Sequence, residues 1–150
     1  MPLLLFLLLN FGALGLGSYL MGDGPQGVWY QALEKAPWTP PGWVFGAAWT
    51  FIMITFSIYM SKAVQVKEMR TVFIWLFAVQ WVLNVSWNPL FFMFHNMGWS
   101  LVVMLLLIAV VAALAIVGKK SLPLASWWLT PYLLWLSIAA TLNGYALVHN

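Results

Sequence analysis

The chain has 150 residues, 64% of them hydrophobic and only 6% charged, with a mean hydropathy of +0.93. A soluble domain carries about 25% charged residues, so this composition excludes a soluble globular protein and describes an integral membrane one. The net charge of +3 is dispersed, with no block of like charges beyond Lys119-Lys120, which argues against a nucleic-acid surface. The absence of cysteine excludes disulfides and thiolate chemistry.

Charged and turn-forming residues divide the chain into apolar segments at 3–20, 42–60, 71–94, 99–117 and 122–148. Backbone groups in lipid must be satisfied within the segment, so these spans are read as helices. The expected fold is an all-α, five-transmembrane-helix bundle forming a single domain over 1–150.

The first span lacks a basic n-region and an A-x-A cleavage site, and is read as a retained helix. It carries Gly12, Gly15 and Gly17. The small-xxx-small spacing from Ala13 to Gly17 fits close packing, either within the bundle or between the subunits of a homodimer.

After it comes EKAPWTPPGWVFGAAW at 34–49, where Pro37, Pro40 and Pro41 alternate with Trp38, Trp43 and Trp49. Proline fixes φ and pushes the preceding residue into extended geometry, so a helix starts only after Pro41. The stretch ahead of it is expected to be a stiff lid over the mouth of the bundle.

In the second span Phe45, Trp49, Met53 and Phe56 form an aromatic stripe. In the third, Gln80, Asn84, Trp87, Asn88 and Phe91 share one helical face, which points into protein or a cavity. In the fifth, Trp135, Ala139, Leu142 and Asn143 repeat that spacing. The amides serve either as interhelical glue or as the polar points of an apolar pocket for flat hydrophobic ligands. Trp29, Trp99, Trp127 and Trp128 lie near span ends and are expected to be interfacial anchors, as Trp38 and Trp43 would be on composition alone. Pro89 and Pro131 are expected to free the carbonyls of Val85 and Trp127 and to bend the third and fifth spans.

Lys62, Lys67, Arg70, Lys119 and Lys120 fall in the second and fourth loops, against Lys35 alone on the other side. In a bacterial-type inner membrane this bias places those loops and the N-terminus in the cytoplasm. Every Asp, Glu, Lys and Arg lies outside the span interiors, which argues against ion-coupled transport. His95 and His149 sit at span ends without a carboxylate and nucleophile partner. No metal site is expected, although His95 as an axial haem ligand stays an alternative.

The runs WYQALEKAPWTPPGWVFGAAWT (29–50), LNVSWNPLFFMFHNMGWSL (83–101) and PYLLWLSIAATLN (131–143) resemble the translocator protein family, also called tryptophan-rich sensory proteins or peripheral benzodiazepine receptors. The resemblance extends in order over nearly the whole chain. It implies five tilted helices around a pocket beneath the first loop, commonly in a homodimer within the lipid bilayer. It also implies binding of porphyrins such as protoporphyrin IX and haem as ligands, not resident cofactors, together with benzodiazepine-site ligands and, in some members, sterols.

Carried onto matching positions, the implied pocket residues are Tyr30, Pro40, Phe45, Trp49, Asn84, Trp87, Asn88, Trp135, Ala139 and Leu142. Light-dependent oxidative porphyrin breakdown in some bacterial members makes Trp49 and Trp135 candidate reactive residues, and passage of hydrophobic ligands such as tetrapyrroles or sterols is a further alternative. The family's C-terminal sterol pattern is incomplete: Leu142 and Tyr145 are present, but no basic residue follows, and the reversed pattern through Arg70, Phe73 and Leu76 is a weak signal. No strong sterol dependence is expected. A glycine-rich dimer motif is not evident in the third span, where FIWLFAVQW carries only Ala78.

Overall fold

The computed structural model describes residues 2–150. Helix α1 (Pro2–Leu20) leads into a loop holding a 3-10 turn (Gly24–Gln26) and a short α2 (Val28–Ala32). Then come α3 (Gly42–Ala63), α4 (Arg70–Asn88) running into a π-helical turn (Pro89–Met93), α5 (Met97–Ser121), a 3-10 turn (Ala125–Leu129) and α6 (Thr130–His149). Among the described residues five segments are long and apolar enough to cross a membrane: Pro2–Gln26, Gly42–Ala63, Lys67–Met93, Met97–Ser121 and Ala125–His149. The fold is therefore the expected five-span helical bundle, in which α1 packs on α3 and α4, α4 on α5, α5 on α6, and α3 closes the ring against the turn leading into α6.

The outer surface is apolar, with Leu4, Leu8, Trp75, Ile116 and Leu134 exposed, while Asn10, Ser57, Gln80, Ser100 and Asn143 are buried inside. That inversion suits a lipid solvent, where apolar side chains face the tails and polar ones need partners within the protein. Asn10 finds one across the α1–α3 contact, donating to Ser57 Oγ at 2.8 Å.

Helices α3 and α5 run beyond the expected ends at 60 and 117, to Ala63 and Ser121. Their added turns carry Lys62, Lys119 and Lys120, which favour the negative C-terminal ends of helices and reach out of the apolar layer.

The two prolines behave differently from each other. At Pro89 the α-helix gives way to a π-helical turn, with Phe94 N–H donating to Pro89 O and Asn96 N–H to Leu90 O, both at 2.9 Å. Pro131 does not bend a span interior. It sits in the first turn of α6, where its missing N–H is no loss, and the Trp127 carbonyl is not freed because it accepts from Thr130 N–H.

The glycines of α1 also divide. Ala13 and Gly17 are buried, and Gly17 abuts the Asn88 side chain of α4, so their spacing serves packing inside the bundle; a Cβ at Gly12 or Gly15 would meet open space.

One end of the bundle is solid. Phe56 stacks on Phe77 and meets Tyr132 edge-on, Phe6 packs against Phe77 with centroids 5.0 Å apart, and Tyr59 Oη donates to Leu114 O at 2.6 Å. Met60, Phe73, Leu107, Val111, Leu129 and Leu136 fill the spaces between. This core uses the C-terminal halves of α3 and α5 and the N-terminal halves of α4 and α6. It leaves the other half of the bundle free for something else.

A cavity beneath the tryptophan-proline loop

That other half is hollow, with a cavity of about 640 Å³. Helix α3 supplies Phe45 and Trp49 on the face that also carries Gly42, Gly46 and Thr50; α4 supplies Asn84, Trp87, Asn88 and Phe91; α6 supplies Trp135, Ala139 and Leu142. Tyr30 and Pro40 of the loop form part of the roof. The structure thus brings all ten residues singled out from the sequence to a single cavity.

The hollow arises where glycine and alanine (Gly42, Gly46, Ala139) stand at helix-face positions that bulky residues occupy at the solid end. The rings around it brace one another. Phe45 meets Trp135 edge-on at 5.2 Å, and Trp49 meets Tyr132 at 6.0 Å, geometries that aromatic quadrupoles favour.

The polar groups of the wall are few and unequal. Asn88 Nδ2 donates to Asn84 O at 3.2 Å and lies in the notch left by Gly17, where a Cβ would stand 2.6 Å from it. Asn84 is buried and borders the cavity, and among the described residues its side-chain amide has no hydrogen-bond partner. Trp135 Nε1 is likewise buried without a partner. Lys35 is the charged residue on the border; its Nζ donates to Gln31 O at 3.2 Å and lies 4.8 Å from the centre of the Tyr30 ring. Burial pushes the Tyr30 phenol up, so it remains a neutral hydroxyl at physiological pH.

The family model described as TspO/MBR matches residues 4–148. The chain belongs to the TspO/MBR family. It is similar to the translocator protein of Sus scrofa, at 40% identity over 135 residues covering 85% of this chain and 80% of the relative. The translocator protein of Homo sapiens is 35% identical over 129 residues (83% and 75%), and the tryptophan-rich sensory protein of Cereibacter sphaeroides 31% identical over 122 (81% and 77%). Family membership and the five apolar helices make this an integral, multi-pass membrane protein.

In this TspO/MBR chain the roof is tied down on two sides. Towards α6, Trp38 Nε1 donates to Thr141 Oγ1 at 3.1 Å and its ring meets Tyr145 edge-on at 5.5 Å. Glu34 N–H donates to Asn150 Oδ1 at 2.8 Å, Asn150 Nδ2 donates to Glu34 O at 3.1 Å, and Tyr145 Oη donates to Glu34 Oε1 at 3.1 Å. Towards α4, Trp29 stacks on His95 at 4.0 Å and meets Phe91 edge-on at 5.5 Å. Trp29 and Trp38 therefore pin the loop to the bundle, a role beyond interfacial anchoring. Trp43, Trp99, Trp127 and Trp128 are exposed, as anchors require.

His95 does not border the main cavity. It lines a neighbouring recess of about 450 Å³ with Asp23, Gly24 and Trp29, which shares Met21, Tyr30 and Phe92 with the cavity.

Further residues line the cavity, among them Phe91 and Asn143, which lie on the amphipathic stripes. Met104 of α5 and Ala13, Leu14 and Met21 near α1 stand on segments that are apolar all round, where no stripe separates an inner face.

Proposed function

We propose that this TspO/MBR protein is a membrane receptor or sensor that binds porphyrins, such as protoporphyrin IX and haem, and related flat hydrophobic ligands in the cavity beneath the loop. The observation that carries this reading is the cavity itself. At about 640 Å³ it lies within the range of small-molecule sites, and its walls combine indole and phenyl rings with a few amides. The unpartnered Asn84 amide offers a hydrogen bond to a heteroatom of the ligand, and Lys35 at the roof is a counter-charge for ligand carboxylates. The charge bias of the loops supports a roof facing away from the cytoplasm.

The test is a titration of protoporphyrin IX into the protein in lipid nanodiscs, read from the Soret band against empty nanodiscs. Saturable binding is expected, weakened about tenfold by Trp135→Phe combined with Asn84→Ala, the scale of one lost hydrogen bond to a buried group plus altered ring contact. Partitioning no different from empty nanodiscs overturns it.

A second reading, light-dependent oxidative breakdown of the bound porphyrin by molecular oxygen, takes support from Trp49 and Trp135 bordering the same cavity. Indoles beside a photo-excited macrocycle are oxidisable partners that need no acid or base. Product formation under light is expected to fall in Trp49→Phe and Trp135→Phe while affinity changes little; unchanged product yield removes the reading.

A further inference from the structure

Asn143 of α6 is 2% exposed, and its amide is almost fully committed to the protein. Its Oδ1 accepts from Trp87 Nε1 at 3.2 Å and from Ser100 Oγ at 2.9 Å, and its Nδ2 donates to Met97 O at 2.9 Å. A primary amide has two lone pairs on oxygen and two N–H donors. The Trp87 bond engages one lone pair and the Met97 bond one donor, while the single Ser100 hydroxyl proton lies between Asn143 Oδ1 and Met97 O at 3.0 Å, so the partners come from α4 and from the first turn of α5. Asn143 borders the cavity, but its amide oxygen already accepts from the Trp87 indole.

The bond to Trp87 consumes the only side-chain N–H of that residue, whose indole therefore presents ring surface and no donor. That ring stacks on Phe91 at 5.3 Å with an 11° interplanar angle, and Phe91 in turn meets Trp29 and Tyr30 of the roof. The torsion that turns an indole about its Cβ–Cγ bond has broad minima, so Phe91 on one face and Phe92 edge-on at 5.8 Å bound the ring, and the tethered N–H fixes its plane. Asn84 differs in kind: it borders the cavity with its amide uncommitted.

We infer that Asn143 is a positioning residue that fixes the indole plane of Trp87, and through it sets the width of the slot that a flat ligand enters. The positioning stands on the geometry alone; its consequence for ligand affinity rests on the porphyrin-binding reading above. The competing account, in which Asn143 only glues three helices together, predicts a loss of thermal stability with the Trp87 ring as ordered as before.

Two readouts separate them. In protein labelled with 15N-tryptophan and reconstituted in nanodiscs, the Trp87 indole resonance, assigned with Trp87→Phe, is expected to lose 15N order in Asn143→Ala while those of Trp75 and Trp127 keep theirs. In a double-mutant cycle, Asn143→Ala is expected to weaken protoporphyrin IX about tenfold in the wild-type background and less than about twofold in the Trp87→Phe background, the non-additivity of residues that act as one unit. Unchanged order of the Trp87 indole, or equal losses in both backgrounds, overturns the inference. Should Asn143→Ala fail to fold, Asn143→Ser is read by the same resonance with the same two outcomes. Failure of the wild-type protein to bind porphyrin overturns the ligand reading, and the resonance then decides the positioning by itself.

Discussion

Gly46→Leu is expected to remove porphyrin binding while leaving the bundle as stable as before. Gly46 lies in the middle of the α3 face formed by Gly42, Phe45, Trp49 and Thr50, all of which border the cavity, and a Cβ built on it meets nothing within 4 Å. The added side chain therefore enters free volume without displacing the core, which lies further along α3 at Ile52, Met53 and Phe56. Replacing glycine inside a helix with leucine also removes a conformational penalty of about 0.5–1 kcal/mol. Ligand binding then has to overcome lost volume and forced repacking, about 1–3 kcal/mol and largest for a rigid, flat ligand that cannot reshape itself. Affinity is expected to fall about a hundredfold, at the upper end of that range. A Soret titration in nanodiscs measures the first half and a detergent thermal melt the second. Retained affinity with a normal melt shows that the ligand does not use this part of the cavity.

The residues of this slot were legible in the sequence because three of the helices are amphipathic in a particular way. On α4 and α6 the amides and indoles recur at helical spacing between apolar residues, so the period itself reveals the inward face. Trp49 could be read off α3 for the same reason. Helix α5 is apolar on every side, and lipid and protein interior then present the same chemistry, so nothing marks Met104 as part of the cavity wall. Pro131 was misplaced for a related reason. The apolar run begins at Leu122, but the chain first makes the 3-10 turn Ala125–Leu129 and enters α6 at Thr130, which puts the proline at a helix start and not in mid-span. The ties of the roof had no local signature at all: Trp38 finds Thr141 and Glu34 finds Asn150 across more than a hundred residues, and such pairs arise only from the packed bundle. The proline-rich composition indicated stiffness there, and the structure adds what the stiff segment is fastened to.

Trp38→Ala is expected to loosen the roof and to reveal the route by which a ligand leaves. The substitution removes a hydrogen bond to Thr141 Oγ1 and the edge-on contact with Tyr145, while Asn150 still clamps the backbone of Glu34. A hydrogen bond is worth about 1 kcal/mol and an aromatic pair about 0.5–1.5 kcal/mol, so the opening equilibrium of the loop shifts by about 2 kcal/mol, or roughly thirtyfold. Hydrogen exchange of the amides over 31–39 is expected to accelerate by that factor, with exchange in the solid end around Phe56 and Leu114 unchanged. Prolines 40 and 41 limit how far the effect spreads, because they hold the entry to α3 in one shape whether or not Trp38 is docked. If a bound porphyrin leaves beneath the loop, its dissociation rate rises in parallel with amide exchange. A dissociation rate that stays fixed while the loop opens thirtyfold more often implies exit between helices into the lipid. In that case the roof orders the upper wall of the slot but does not gate it.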